Sequence, residues 1–539
     1  MKRVICLLLA IMMLLTLFSC APNDLPLPEE SESQTTKATE KAETTEPLYA
    51  IAEIQQPALT LFVGDSFELD YETHGEGTVR WYSTNACVEV EDGVVVAKAE
   101  GSAIVGGGGE RLCRVRVLSE TMPILHVQAN GVAIQSKEEY VPCRISLDAE
   151  NDQHDLTDLS AGIRVRGNST SRRPKKPYRI KFDSKQNLIG MNDGAKCKSW
   201  VLLAEYQDDS MIRTSSCLSL ADMLLTEYSS DWRYISVYID GKYMGVYSLC
   251  EQSQINEHRI DIEEAGAESD ALASGYLFEL DASPPHDGKI SVSYLGFDIT
   301  DLEGKEYKRA TNDDSIYGLM RYSLKNDGYS DAQFAFASRY IQNVLKILYY
   351  ATYEGVYYTL NEQAELIPSS YTTAEDAISA VIDIDSFVRM YIFSELICNA
   401  DEYKKSFYMY VDFSKDGTGL LTFTCPWDFD GAVVAWNTYN YQDPNKYFAA
   451  KRNLWYVMAM KNDWFRDRVS EVWQALYSAN DGFMRVPFQI RQITSVYKDA
   501  FSQDAILWDR KHDQGEHAEK TAKWLVARVA WMNSEFGAR

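Results

Sequence analysis

Basic side chains are scarce in this sequence relative to acidic ones. The 539 residues include 53 Lys and Arg against 79 Asp and Glu, which gives a formal net charge of −26. Because phosphate backbones are bound by clustered Lys and Arg, this balance argues against nucleic acid as a partner. Hydrophobic residues make up 45% of the chain, which indicates packed globular domains, and the length predicts two or three of them.

The ten cysteines lack the spacing of a metal site. No CxxC pair and no Cys/His spacing occurs, so a zinc site is not expected. Cys87 and Cys113 fall in one small predicted β domain and are the best candidates for a disulfide, which an exported chain permits. The alternative is that both are small buried apolar side chains.

The N-terminus predicts export followed by a flexible tether. Lys2 and Arg3 precede an apolar run, Val4 to Phe18, that is too short to span a membrane comfortably. The run ends in Leu17-Phe18-Ser19-Cys20, which resembles a bacterial lipoprotein signal. That resemblance implies a signal peptide over residues 1–19, a lipid on Cys20 and a place at the extracytoplasmic face of the cell membrane. The alternative is an ordinary signal peptide with an incidental cysteine. The polar segment 20–49 predicts a disordered tether.

Residues 50–120 predict an all-β domain of short strands separated by Gly and Asp turns, in the manner of a β-sandwich. Three segments resemble the bacterial immunoglobulin-like group 2 domain: Val63-Gly64-Asp65, the stretch from Val79 to Ser83, and the stretch from Val96 to Gly101. The resemblance implies a spacer or adhesive module with no catalytic role.

Residues 122–539 mix longer strands with helices and predict an α+β domain. Within Pro426 to Ala432, Asp428 and Asp430 flank Phe429 directly after an apolar strand. Two carboxylates at a strand end are hard oxygen ligands that suit Mg²⁺ or Mn²⁺ carrying phosphates. The alternative is a turn with solvated aspartates and Phe429 in the core.

A second stretch predicts a phosphate-binding surface. Alternation from Tyr178 to Phe182 places Arg179 and Lys181 on one face of a strand that follows a Gly-Asn-Ser-Thr turn. Two cations on one face can hold a polyphosphate. The alternative is a solvated strand face, which is common for charged residues.

Taken in order, several segments resemble the spore coat protein H (CotH) kinase family over roughly residues 123–535. The segments are Arg166 to Thr170, Lys176 to Phe182, Trp200 to Ala204, Gly245-Val246-Tyr247 with Glu251-Gln252, Gly275-Tyr276, Asn399 with Asp401, and Pro426 to Asp430. The resemblance implies an atypical protein-kinase-like fold that uses ATP and Mg²⁺ or Mn²⁺ to phosphorylate serine or threonine of a secreted or surface protein.

The same resemblance implies roles for individual residues. It implies that a turn lies over the phosphates, that Lys181 grips them and that the end of a hairpin faces the adenine. It also implies that Asp401 orients or deprotonates the acceptor hydroxyl, and that a group of three residues holds the metal, with Asn399 assisting either Asp401 or the metal. The alternative for Asp401 is a structural residue of the turn that ends a helix. The turn consists of Gly167, Asn168 and Ser169, the hairpin end of Glu251 and Gln252, and the metal group of Asp428, Asp430 and Asn399.

The sequence also departs from these patterns. It has no G-x-G-x-x-G loop, and Lys404-Lys405-Ser406 stands where related sequences tend to have Lys-Asn. The acidic helix partner of Lys181 is not identified, although Glu205 lies near in sequence. Two further functions remain open on these grounds: a non-catalytic surface or spore-coat scaffold with a kinase-like domain, and polysaccharide binding or hydrolysis, suggested by the many Tyr and Trp.

Overall fold

Strands dominate the first half of the chain and helices the second. The computed structural model describes residues 49–282, 288–308, 318–433, 443–510 and 513–537. The predicted signal peptide, Cys20 and nearly all of the predicted tether lie outside these ranges and stay predictions. Within the described ranges no helix combines the length and the apolar character that crossing a membrane requires.

The region 49–118 is built from short strands, as predicted. They pair in three small sheets, with the orders β4-β1-β5, β2-β10-β9-β6 and β3-β8-β7. Val95, Val105 and Val115 form the centre of its apolar core. That this region is an immunoglobulin-like sandwich stays a prediction. The strands are β1 (Tyr49–Ile54), β2 (Ala58–Phe62), β3 (Ser66–Glu68), β4 (Tyr71–His74), β5 (Thr78–Val79), β6 (Tyr82–Ser83), β7 (Val88–Glu91), β8 (Val94–Ala97), β9 (Gly101–Gly106) and β10 (Cys113–Leu118).

The disulfide prediction for this region is wrong. Cys87 and Cys113 are both buried free thiols that belong to the apolar core. Cys113 lies opposite Val105 on the neighbouring strand, whereas Cys87 packs beneath Gly101. Burial raises the pKa of Cys87 to about 11 and that of Cys113 to about 12. Both side chains therefore behave as small apolar residues.

The next seven strands close into a barrel with the order β11-β12-β13-β14-β15-β17-β16. Parallel pairing of β16 with β11 closes it, and a turn at Asp240-Gly241 joins β16 to β17. Ile163, Ile180 and Trp200 fill the interior. Residues that alternate with them, such as Arg179, face outward. The strands are β11 (Ile124–Gln128), β12 (Val141–Asp148), β13 (Leu156–Val165), β14 (Tyr178–Gln186), β15 (Cys197–Leu203), β16 (Trp232–Ile239) and β17 (Lys242–Glu251).

A five-stranded sheet and a set of helices form the remainder. The sheet has the order β19-β20-β18-β23-β24, and a separate hairpin pairs β21 with β22. Its strands are β18 (Gly275–Leu280), β19 (Lys289–Ser293), β20 (Leu319–Leu324), β23 (Phe407–Asp412) and β24 (Thr422–Thr424), and those of the hairpin are β21 (Tyr358–Leu360) and β22 (Leu366–Pro368). The helices are α1 (Arg213–Leu224), α2 (Asp331–Tyr349), α3 (Ala374–Ser379), α4 (Ile384–Ile397), α5 (Leu454–Ala459), α6 (Asp463–Ala479), α7 (Arg485–Val496), α8 (Lys498–Leu507) and α9 (Gln514–Phe536).

Local sequence explains where several of these helices begin. Ser330 and Gln333 form a capping box at the start of α2, and Asp383 accepts a hydrogen bond from the backbone of Ser386 at the start of α4. Ahead of α1, the Asp208 carboxylate accepts the Arg213 backbone N–H at 2.8 Å. With these contacts the three helices begin at Arg213, Asp331 and Ile384.

The strand-rich region is packed against the rest of the chain. The described residues from Tyr49 onward belong to one compact unit. Phe62 and Leu118 belong to the same apolar cluster as Leu218 and Leu224 of α1. A module that shares its core with a neighbouring helix is held in a fixed place on it.

Candidate functional site

A cavity of about 520 Å³ is lined by strand ends of the barrel and by residues of the five-stranded sheet. Its size falls within the range of small-molecule sites. Charged side chains of both signs line it. The basic ones are Lys137, Arg164, Arg166, Lys175, Arg179, Lys325 and Lys405, and the acidic ones are Glu205, Glu279, Asp281, Asp428 and Asp430.

Asp428 and Asp430 both face this cavity from the turn that follows β24. Asp428 adopts the left-handed backbone conformation with φ 64°, and its carboxylate accepts hydrogen bonds from Lys405 Nζ at 2.7 Å and Ser406 Oγ at 3.0 Å. Asp430 accepts a hydrogen bond from Gln207 Nε2 at 2.9 Å. Burial raises the pKa of Asp430 to about 6, and the negative charge of Asp428 adds to the shift. The predicted pair thus sits at a strand end, with Phe429 buried in the core beside it.

Lys405 joins Asp428 to Asp401. Its Nζ lies 2.7 Å from Asp428 Oδ2 and 3.3 Å from Asp401 Oδ2. Asp401 itself does not line the cavity and reaches it only through this contact. Burial raises the pKa of Asp401, and the Lys405 charge opposes that shift. Burial alone lowers the pKa of Lys405, yet the charges of Asp428 and Asp401 raise it overall. From the sequence, Lys405 was recognised only as a departure from related sequences. Its position between two carboxylates results from the tertiary structure.

Asn399 lies behind this group and does not line the cavity. Its side-chain amide donates to the Asp428 backbone carbonyl at 3.0 Å, and its Oδ1 accepts the Asp401 backbone N–H at 3.1 Å. The residue is 1% exposed. In this structure Asn399 therefore fixes the two aspartate loops relative to each other, and the prediction that it binds metal has no geometric support.

The basic wall of the cavity contains Arg179 in place of the predicted Lys181. Arg164, Arg166 and Arg179 line the cavity, whereas Lys181 is exposed and does not. Both outward residues of β14 share a face, but Lys181 stands about 6.6 Å further along the strand. Burial, with the neighbouring charges of Arg164 and Arg166, lowers the pKa of Arg179. Within the described residues the Nε of Arg179 has no hydrogen-bond partner.

The predicted phosphate turn lines the same cavity. Gly167, Asn168 and Ser169 all contribute to the lining. Gly167 has φ 83°, and a Cβ there would lie 2.1 Å from Thr170 Oγ1, so the turn needs glycine. Asn168 Oδ1 accepts a hydrogen bond from Lys137 Nζ at 3.0 Å.

Of the two residues predicted to face the adenine, one lines the cavity and the other does not. Gln252 lines the cavity, but Glu251 is 1% exposed and its carboxylate accepts from Arg259 Nε at 3.2 Å and from the Asp231 backbone N–H at 3.2 Å. Alternation along β17 turns Glu251 away from the cavity. Glu251 therefore does not line the cavity, and the prediction that it faces the adenine has no geometric support.

Glu205 is a cavity residue to which the sequence assigned no role of its own. It is 5% exposed, and burial raises its pKa to about 8, with the charges of Asp208 and Asp430 adding to the shift. Within the described ranges its Oε1 lacks a hydrogen-bond partner. In the sequence, Glu205 is a single acidic residue shortly after a strand. This pattern is too common to identify a functional residue.

The carboxylates fit a divalent cation that brings other ligands with it. Among the described residues, no group of three or more His, Cys, Asp or Glu side chains is arranged to hold an ion. Mg²⁺ is nonetheless usually held by one or two carboxylates plus substrate phosphates and water. A cation beside Asp428 and Asp430 would neutralise the negative charge that burial and the neighbouring Asp428 disfavour on Asp430.

A barrel and a sheet-and-helix body line one cavity that holds arginines and carboxylates together, which defines an α+β protein with a site of mixed charge. A family model described as CotH kinase protein matches residues 163–531. The chain belongs to the CotH kinase family. No curated protein matches the chain.

Proposed function

We propose that the protein is an exported, membrane-tethered protein kinase that transfers the γ-phosphate of ATP to serine or threonine of a secreted or surface protein. The observation that carries this proposal is one cavity with two walls. Arg166 and Arg179 line it together with Asp428 and Asp430, and Lys405 links this group to Asp401. Cations for the phosphates, carboxylates for a metal and a nearby carboxylate for the acceptor are the parts that phosphoryl transfer needs.

Each group has a distinct task in this proposal. The arginines bind and orient the phosphates, and the backbone of the Gly167 turn approaches them closely because no Cβ intervenes. Asp428 and Asp430 would hold Mg²⁺ or Mn²⁺, which supplies charge neutralisation across the phosphates when bound. Gln252 offers an amide to the base.

Asp401 would accept the proton of the acceptor hydroxyl. Burial raises the pKa of this carboxylate, and a raised pKa makes it a better base than a solvated aspartate. Lys405 lies 3.3 Å from Asp401 and keeps part of its charge neutralised until substrate arrives. The hydroxyl proton thus moves to Asp401 while the hydroxyl oxygen bonds to the γ-phosphorus, the bond from that phosphorus to the β,γ-bridging oxygen breaks, and ADP leaves.

Labelled-phosphate transfer and Mn²⁺-ATP binding test the proposal. Asp401→Asn should retain nucleotide binding and lose transfer by about 10²- to 10⁴-fold, since it removes only the base. Asp428→Asn should lose both. Asp183→Asn, which alters an exposed aspartate of β14 outside the cavity, serves as the matched control. Transfer that survives both site substitutions would show that the assignment is wrong.

A binding scaffold is the second candidate, and one contact favours it. Lys405 Nζ already pairs with Asp428 at 2.7 Å, at a position where related sequences tend to have an amide. A cation must compete with this ammonium for the same carboxylate. A scaffold would bind nucleotide or a partner protein and show no transfer under any metal, whereas the kinase would show transfer that depends on Mg²⁺ or Mn²⁺.

A further inference from the structure

Arg116 of β10 joins the strand-rich region to two buried aspartates elsewhere in the chain. Its Nη2 donates to Asp222 Oδ2 at 2.7 Å and its Nε to Asp231 Oδ1 at 2.6 Å. The Arg116 side chain is 3% exposed and that of Asp222 2% exposed. Arg114, on the same face of the strand, adds a bond from Nη1 to Asp222 Oδ1 at 2.8 Å. A buried carboxylate depends on such partners because it has lost its hydration.

Asp222 lies at the C-terminal end of helix α1, whose position depends on its surroundings. Every residue of α1 is buried, although the helix contains Thr214, Ser215, Ser216 and Ser219 beside Asp222. Half of its twelve side chains are polar and yet buried, so contacts with neighbouring elements must satisfy them, and these contacts help to fix the place of the helix. The strand-rich region supplies Phe62 and Leu118 to the apolar cluster that α1 shares.

The other end of α1 meets the cavity. Thr214, in the first turn, lines it. The Arg213 backbone N–H donates to Asp208 at 2.8 Å, and just before this cap Gln207 Nε2 donates to Asp430 Oδ2 at 2.9 Å. Thr214 and Asp222 are eight residues apart, about 12 Å along a rigid helix. A shift of α1 at Asp222 therefore reaches the side chains that hold Asp430.

We propose that Arg116 is a positioning residue and that the strand-rich region is a working part of the site. By holding Asp222, this region fixes α1, and α1 fixes Thr214 and the Gln207 contact to Asp430. The region thus has a role beyond that of a spacer. The effect on ATP rests on the proposed function, but the effect on α1 and the cavity wall does not.

Arg233 gives a matched control for this proposal. Its side chain is fully buried and joins the same two parts of the chain, with Nη2 donating to the Gly101 carbonyl at 2.6 Å and Nη1 to Asp231 Oδ1 at 2.9 Å. No bond to Asp222 is among its contacts in the described residues. Arg233→Met therefore disturbs the interface without releasing α1 directly.

The experiment compares Arg116→Met and Arg233→Met in the full chain by hydrogen exchange of peptides covering residues 204–212 and 213–224, and by Mn²⁺-ATP binding. Arg116→Met should speed exchange in both peptides by about tenfold and weaken Mn²⁺-ATP by a similar factor, since local opening is made easier. Arg233→Met should change each by less than about threefold.

Equal effects of the two variants would overturn the proposal, and so would faster exchange in 213–224 without a change in 204–212 or in affinity. If Arg116→Met does not fold, Arg114→Met replaces it. This change removes one of the two arginines from Asp222 and leaves Arg116 in place, and an unchanged exchange rate in 213–224 would then count against the proposal. A wild-type protein that binds no Mn²⁺-ATP would refute the proposed function, while the exchange of the two peptides would still decide the role of Arg116.

Discussion

Replacing Arg179 should weaken nucleotide binding far more than replacing Lys181 on the same strand. Arg179 lines the cavity with an Nε that lacks a partner among the described residues, while Lys181 is exposed outside it. A hydrogen bond to a charged group contributes about 1.5–3 kcal/mol. Because about 1.4 kcal/mol is tenfold in affinity, Arg179→Met should raise the Kd of Mg²⁺-ATP by about 10- to 100-fold.

Lys181→Met is the matched comparison, because Lys181 is also a long basic residue on the same face of the same strand. Its charge lies about 6.6 Å further along β14 and is screened by solvent, so its loss should change the Kd by no more than about twofold. Methionine keeps the apolar stem in both variants, which limits changes in packing.

Although Arg179→Met should weaken nucleotide binding, it should not lower the stability of the ligand-free protein. Burial and the charges of Arg164 and Arg166 lower the pKa of Arg179, which means that the surroundings disfavour its charge. Arg179→Met should therefore leave the Tm of the free protein unchanged or raise it, and abolish most of the Tm increase that Mg²⁺-ATP causes. Isothermal titration and thermal unfolding measure both quantities. Equal losses of affinity for the two variants, or a neutral Arg179→Met, would refute the assignment of the phosphate-binding wall.

The remaining predictions concern pH and the N-terminus. Burial, with the charge of Asp428, raises the pKa of Asp430 from its ordinary 3.8 to about 6, so the folded state retains a proton that the unfolded state releases. The contribution of Asp430 to stability should thus fall as pH rises from about 4 to 6, while Mn²⁺ affinity should rise over the same interval. Thermal unfolding and Mn²⁺ titration at several pH values check this, and Asp430→Asn should flatten the stability profile; a profile unchanged by that substitution would contradict it. Cys20→Ser should prevent lipid attachment and release the protein from the membrane fraction, as measured by labelled fatty-acid incorporation; retained label would place the lipid elsewhere.

Local pattern was enough to predict much of this protein. Alternation from Tyr178 to Phe182 gave the inward and outward faces of β14 correctly. An apolar strand followed by Asp428-Phe429-Asp430 placed both carboxylates at a strand end. Each of these signals depends on residues that are close in sequence, where backbone geometry fixes which side chains share a face.

Contacts between residues far apart in the chain could not be predicted from the sequence. The sequence placed Arg179 and Lys181 on one face but could not say which of them meets a cavity that residues as distant in the chain as Asp428 also line. It proposed a disulfide for Cys87 and Cys113, which share a core without being bonded.

Tertiary structure alone decided the partners of the aspartates and the place of the strand-rich region. Lys405 pairs with Asp428, and Arg116 pairs with Asp222 across 106 positions of the chain. Pairings of this kind leave no periodicity in the sequence, because the burial and charge that select them exist only once distant elements have packed together.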